Sequence, residues 1–447
     1  MKRSKAKQIA QRNLNLFICF RMLFNARFYY PVYALIFLEH GLTWEEFGIL
    51  NAIWAITIIV LEVPSGALAD TLGRKKLLVL AAVCMIVEML ALLFAPMNGS
   101  EYVFILFALN RIVSGLAEAA ASGADEALAY DSLKEAGLES EWSKALEKAQ
   151  RFTSLAFFFA MMTGSVFYDA TFINHCLEWL NLTITISTET AIKAPIFLTL
   201  LSSLVVFGAT LLMKDPFKKE KMGAWQTIKS SFSKTTEAGA WIWKTPLPFG
   251  ILLATMALVN VIRQFLTIAS AYWNVIELPL ATFGLVASGM SLMGFFIPRL
   301  ARHLGDRYSP HKNFFLLCII LLIGLWGIGY AIPYWGILPA ILLYATMQIM
   351  NYLVSRYLNE EASSDRRATV LSFRGLSTNL SYGAVSLLYS GLIAWIKSTE
   401  PAPIIGGRKM TEQDSVFVQA LGWSPWYFLF TLLLVIIFYR ARFRKID

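Results

Sequence analysis

The chain has 447 residues, 57% of them hydrophobic and 15% charged, with 39 Lys and Arg against 30 Asp and Glu. A soluble domain carries about 25% charged residues and breaks its apolar residues into stripes; here they run in blocks of about 20, enough to cross a ~30 Å hydrocarbon core. The +9 net charge would suggest nucleic acid in a soluble chain, but in a chain of apolar blocks it reads as basic cytoplasmic joints, so the partner is a lipid bilayer and not nucleic acid.

Twelve transmembrane helices are predicted. The first six lie near 14–38, 46–67, 76–95, 102–127, 150–169 and 194–213, the others near 247–274, 280–300, 314–331, 335–357, 368–396 and 425–440. The basic start runs into a block holding Arg21, Arg27 and Pro31 without a small-residue cleavage site, which reads as a retained first helix rather than a signal peptide. Residues 1–13 carry five bases and no acid, and 39–46 carry Glu39, Glu45 and Glu46 without a base. Arg74, Lys75 and Lys76 follow the second span, and Arg440, Arg442, Arg444 and Lys445 end the chain. Positive charge on alternate joints predicts a multi-pass inner (plasma) membrane protein with both termini cytoplasmic.

The joint 214–244 carries seven Lys and three acids and is too polar to span. It divides the chain into an N-terminal six-helix bundle (1–213), a cytoplasmic linker (214–246) and a C-terminal six-helix bundle (247–447). Trp225, Ile228, Phe232 and Trp241 predict an amphipathic segment on the membrane surface. The stretches 170–193 and 397–424 read as external loops. Among the cysteines, Cys19, Cys84 and Cys318 lie in apolar blocks and Cys176 in a loop, which is neither a disulfide framework nor a metal set.

Leu68-Ala69-Asp70-Thr71-Leu72-Gly73-Arg74-Lys75 aligns without gaps on Leu300-Ala301-Arg302-His303-Leu304-Gly305-Asp306-Arg307, both after the second span of their half. Internal repeats mark secondary transporters, although coincidence over eight residues is the alternative. The first copy extends to Gly66 and Lys76. Gly66 is expected to let a neighbouring helix approach, Gly73 to supply a turn, and Asp70 to need a partner at the membrane boundary.

This segment resembles the Major Facilitator Superfamily signature G-x-L-A-D-x-x-G-R-K, and helix number, central joint and second copy agree with it over essentially the whole chain. The resemblance implies an all-α fold of two six-helix bundles, no enzyme activity and a cytoplasmic latch at Asp70 and Arg74. Arg302 and Asp306 swap the charges of the pattern, so a mirrored latch is not expected. With Leu61-Glu62-Val63-Pro64-Ser65-Gly66, the run Ser122-Gly123-Ala124-Asp125-Glu126 resembles a bacterial branch classed with efflux proteins.

In the fourth predicted span Arg111, Gly115, Glu118, Ser122 and Asp125 recur at spacings of 4, 3, 4 and 3 and so share a helix face. A mid-membrane Arg111 is a functional candidate by default. Arg111-Ile112-Val113-Ser114-Gly115 resembles the superfamily's R-x-x-x-G motif, which implies proton coupling; the structural alternative is an ion pair with Glu118 or another acid. Glu62 reads either as a protonation site or as a latch partner, and Asp125 or Asp131 as a partner of Arg74. Glu88 lies in the third span, peripheral in the superfamily, and reads as a structural or protonated acid.

Four spans carry polar residues near mid-depth: Asn25 and, on another face, Arg27, then Arg111 and Glu118, then Asn260, Arg263 and Gln264, then Gln348 and Asn351. The resemblance places these spans around a central substrate cavity. Three deep arginines, Arg27, Arg111 and Arg263, favour an anionic, zwitterionic or neutral amphiphilic solute. Walker loops, dinucleotide fingerprints and metal-ligand clusters are absent from the sequence, so no cofactor and no ATP are expected. The reading is a monomeric, proton-coupled secondary transporter, an antiporter exporting a small organic solute by alternating access. Its rivals are a uniporter or importer of an organic anion and, remotely, a non-transporting membrane sensor or scaffold.

Overall fold

The computed structural model describes residues 2–215, 223–362, 367–399, 404–405 and 408–443. The described residues are helical apart from joints and a two-residue antiparallel ladder pairing Ile404–Ile405 with Arg408–Lys409. In chain order the helices are α1 (Lys2–Asn25), α2 (Tyr33–Glu39), α3 (Trp44–Leu72), α4 (Arg74–Leu93), α5 (Glu101–Ala121), α6 (Ala124–Ala136), α7 (Trp142–Tyr168), α8 (Ala170–Trp179) and α9 (Thr188–Leu212). They continue as α10 (Ala224–Lys244), α11 (Pro246–Val275), α12 (Phe283–Leu292), α13 (Ile297–Arg307), α14 (Pro310–Gly329), α15 (Ile337–Glu361), α16 (Arg367–Ser398) and α17 (Glu412–Phe443).

Among the described residues nine stretches, one of them α5 taken with α6 (Glu101–Ala136), are long and apolar enough to cross a membrane, and up to 11 spans result if α7 with α8 and α12 with α13, bent by 83° and 40°, each count as one. The first predicted span is in neither count, because 14–38 is not one helix. It breaks after Asn25, passes through a short 3-10 turn at Tyr30–Val32 and resumes as the seven-residue α2. Pro31 lies within that turn and lacks the N–H a continuous helix needs there. The fourth span also differs. Helix α5 ends at Ala121, Gly123 takes a left-handed φ of 70°, and α6 carries the span on to Ala136. The face drawn through Ser122 and Asp125 therefore ends at Glu118. The expected external loops contain α8 and the first turns of α9 and α17.

Two compact units are present. The first comprises Met1–Leu42, Ile56–Phe232 and Leu280–Ser291. Within it α4 and α5 meet through Ala81, Ala82, Ala117 and Ala120, small residues that allow the close backbone approach on which membrane packing depends. Gly164 lies so close to the Phe28 carbonyl that no Cβ fits. The second unit comprises Thr43–Ala55, Ser233–Pro279 and Leu292–Asp447. There Trp44 stacks on Phe417 at 4.8 Å, Gly48 lies against Ser386 and Ser390, and Glu45 pairs with Lys397 at 2.8 Å.

Gly73, between α3 and α4, has φ of 100°, a region that costs an L-residue about 1–2 kcal/mol. Gly73→Ala is expected to lower unfolding free energy by about that amount, measurable by denaturant titration in detergent.

Candidate functional site

Arg27 lies in the break between α1 and α2 and is 1% exposed. Its Nη1 donates to Glu88 Oε2 at 2.6 Å and to the Tyr29 hydroxyl at 3.3 Å. The Tyr29 hydroxyl donates in turn to Glu88 Oε1 at 3.1 Å. Arg27 Nη2 stands 3.5 Å from Glu118 Oε1 and is buried without a hydrogen bond. Arg111 approaches the same hub carboxylate, with Nη2 3.8 Å from Glu88 Oε1. It donates to the Tyr33 hydroxyl at 2.6 Å and, through Nε and Nη2, to Asn110 Oδ1 at 3.0 and 2.6 Å. Asn110 Nδ2 ties the arrangement to α4 by donating to the Glu88 carbonyl at 2.9 Å.

Glu88, with 0% side-chain exposure, is thus the hub, and Glu118, with 36%, is the open end. A lone charge inside a bilayer is costly and needs a partner; here two guanidinium groups meet two carboxylates. The expected alternative of an ion pair between Arg111 and an acid other than Glu118 is met by Glu88; Glu118 faces Arg27 instead, and Glu88, read as a structural or protonated acid on a peripheral span, stands at the centre of the group. Sequence spacing compares residues along one helix, so it cannot see a hub made by α4, α5 and the α1–α2 break. A mid-span acid far along its helix from the bases that open it was the available signal.

At the other end of the first unit, Arg74 pairs with Asp131 of α6 and donates to the Ala127 carbonyl at 3.2 Å. Asp125 accepts instead from the backbone N–H of Glu126 at 2.8 Å, and Arg21 pairs with Glu126. The Asp70 side chain lies outside the described residues. Gly66 is exposed, and no described atom lies within 4 Å of where a Cβ would stand. Glu62 is half-buried and keeps one buried oxygen, Oε2, without a hydrogen bond. Asn25 donates to its own helix at the Arg21 carbonyl, 2.7 Å away.

The unexpected mirror is in the second unit. Asp306 accepts from Arg356 of α15 at 2.6 Å, and Arg356 also pairs with Glu360 at 2.8 Å. Swapped charges in the second copy still make an ion pair, because the partner is swapped as well. The Arg74–Asp131 pair is partly exposed, and exposed pairs contribute about 0–1 kcal/mol. Arg74→Ala is expected to change the unfolding free energy by no more than that, so a larger loss of transport would report on gating and not on folding.

The polar face of α11 meets α16. Arg263 Nη1 donates to Asn379 Oδ1 at 3.0 Å, and the guanidinium lies 4.1 Å from the Tyr382 ring centre and 5.4 Å from that of Trp54. Asn260 Nδ2 donates to the Ser381 hydroxyl, and Gln264 Oε1 accepts from the Ser386 hydroxyl at 3.1 Å. Asn260 Oδ1 and Gln264 Nε2 are buried without hydrogen bonds. Gln348 donates to Tyr344 of its own helix at 2.7 Å, while Asn351 accepts from Arg374 of α16 at 3.2 Å. The partners on the eleventh predicted span, Asn379, Ser381 and Ser386, were not singled out from sequence, because small polar residues in an apolar block carry little signal alone.

The sequence profile of the Major Facilitator Superfamily matches residues 16–386. No curated protein matches. Among solved structures, the chain is similar to a mutant form of the nucleoside transporter NupG, at 13% identity and a TM-score of 0.70 over 97% of this chain and 100% of that one. A bacterial homolog of the human lysosomal transporter Spinster, inward-facing and occupied, matches at 14% identity and 0.65 over 98% and 97%. A D-xylose-proton symporter matches at 12% identity and 0.62 over 95% and 97%.

Proposed function

The chain belongs to the Major Facilitator Superfamily, and we propose that it is a secondary active transporter that couples movement of a small organic solute to protons, in the direction of export, by alternating access. The observation that carries the coupling is one arginine between two carboxylates. Arg27 holds a fully buried Glu88 at 2.6 Å and a partly exposed Glu118 at 3.5 Å. Water reaches the outer acid and not the inner one, so Glu118 exchanges its proton while Glu88 remains the permanent counter-ion. A proton on Glu118 frees one side of Arg27 and shifts the balance between states, as a ligand with differential affinity must. Glu62, with one buried oxygen lacking a hydrogen bond, is the second acid in reserve. Six helices on each side of the 214–246 linker form the two moving bundles. The pairs Arg74–Asp131 and Arg356–Asp306, each inside its own unit, are charge-inverted counterparts at corresponding joints.

A uniporter or importer of an organic anion is the second reading, supported by Arg263 against Tyr382 and Asn379. The solute class supported by the first unit is neutral or zwitterionic, because its two deep arginines are already matched by Glu88 and Glu118. The relatives in fold include carriers of nucleosides and of a sugar; an uncharged organic solute suits the same arrangement. The test is flux in proteoliposomes under an imposed pH gradient, with the same solute panel in pyranine-loaded vesicles. Solute-driven proton movement and gradient-driven accumulation are expected. Transport that ignores the gradient defeats the coupling.

A further inference from the structure

The helix α10 precedes α11 and lies outside the nine apolar spans. It carries three distinct faces. Thr227, Ala238 and Ile242 are buried against protein. Trp225, Phe232 and Trp243 are 77%, 44% and 46% exposed. They are spaced by 7 and 11 residues, which at about 100° per residue puts all three within roughly 20° of one line. Lys229 borders that line, and Gln226, Ser233, Glu237 and Lys244 lie about a quarter-turn or so from it, all exposed.

Three large aromatics in a row are poorly placed in water, and amphipathic side chains of this kind settle at headgroup level. The depth is indicated by Trp243. Its ring packs on Phe249 at 5.2 Å and on Phe438 of α17 at 5.8 Å, and Arg442 lies 5.7 Å over it. Phe438 continues an exposed apolar strip of α17 with Leu434 and Ile437, the surface that meets lipid tails. The aromatic row of α10 therefore starts where the lipid-facing strip of α17 ends. Basic side chains accompany it: Lys229 and Lys244 on the helix, Arg440 and Arg442 at the end of α17.

We propose that α10 is an anionic-lipid contact: its aromatic row lies among the headgroups, and Lys229, Lys244 and Arg442 attract acidic phospholipid. Each basic side chain near such a surface contributes about 1 kcal/mol, roughly a five-fold effect on the bound fraction. The proposal does not depend on which solute is moved or whether protons drive it.

The test uses the full chain in nanodiscs of neutral phosphatidylcholine, or with about a third phosphatidylglycerol, reading amide hydrogen exchange of peptides covering 224–244. Slower exchange is expected in the anionic discs, with a rise of roughly five-fold for Lys229→Gln and again for Lys244→Gln, and loss of the lipid difference at high salt. Trp225→Ser with Phe232→Ser is expected to speed exchange in both discs. Equal exchange in the two compositions, or protection that survives both lysine substitutions, overturns the anionic-lipid contact. Protection that grows with protein concentration and not with lipid charge overturns it in favour of a second copy of the chain. Exchange elsewhere in the same samples reports whether each variant is folded.

Discussion

Replacing Glu88 with Leu is expected to destabilise the protein by about 3–5 kcal/mol, because it leaves a buried guanidinium without its counter-charge. Arg27 has nowhere to go: it is 1% exposed, and its bond to Glu88 is a 2.6 Å charge-assisted contact. Arg27→Leu is expected to cost a similar amount by stranding Glu88 beside Arg111 alone. The double substitution is the informative one. It removes one positive and one negative group together, so net charge balance returns and part of the loss is recovered, while Arg111 and Glu118, which do not meet, each lose the partner they had. Unfolding in mixed micelles with a denaturing detergent, run as a double-mutant cycle, measures the coupling. Single losses that simply add, within about 0.5 kcal/mol, would show that the two side chains are independent and would remove Glu88 from the centre of the site.

The second large effect is functional. Glu118→Gln keeps the size and the hydrogen-bonding capacity of the side chain but cannot take up or release a proton. The contact with Arg27 is longer, 3.5 Å, and Glu118 is partly exposed, so a stability change of no more than about 1 kcal/mol is expected. Gradient-driven accumulation in proteoliposomes is expected to vanish, while exchange of labelled for unlabelled solute continues. Retained gradient dependence in this variant, with Glu62→Gln abolishing it instead, would move the proton to Glu62. Loss of exchange together with accumulation would assign Glu118 to solute binding.

These two acids also show what could and could not be read along the chain. The fourth predicted span named Arg111 and Glu118 as a pair because they are seven residues apart on one face. The fold keeps both near the same centre but gives each a different partner. Helix periodicity states which side chains look the same way; it says nothing about what another helix brings to meet them. Asp131 came out of the sequence as one of two candidates for Arg74, and the turn at Gly123 made the choice by carrying α6 onward to present it. The second latch pair was unexpected for the same reason: Asp306 was judged against a motif, whereas its partner Arg356 lies 50 residues away.

Hydrophobic block length and the run from Gly66 to Lys76 were enough, without coordinates, to establish a multi-pass helical membrane protein of this superfamily. Those properties are local or additive. A span needs a certain number of apolar residues, and a motif is a string. Tertiary structure alone decided that the first span breaks around Arg27, that Glu88 is the hub, and that α11 turns its polar face to α16. Ion pairs and buried hydrogen bonds depend on distances of about 3 Å between groups far apart in the chain, and their strength inside a bilayer comes from the neighbours that exclude water. The same two arginines and two carboxylates, packed in another order, would keep the charge balance and lose the one exposed acid to which a proton can come and go.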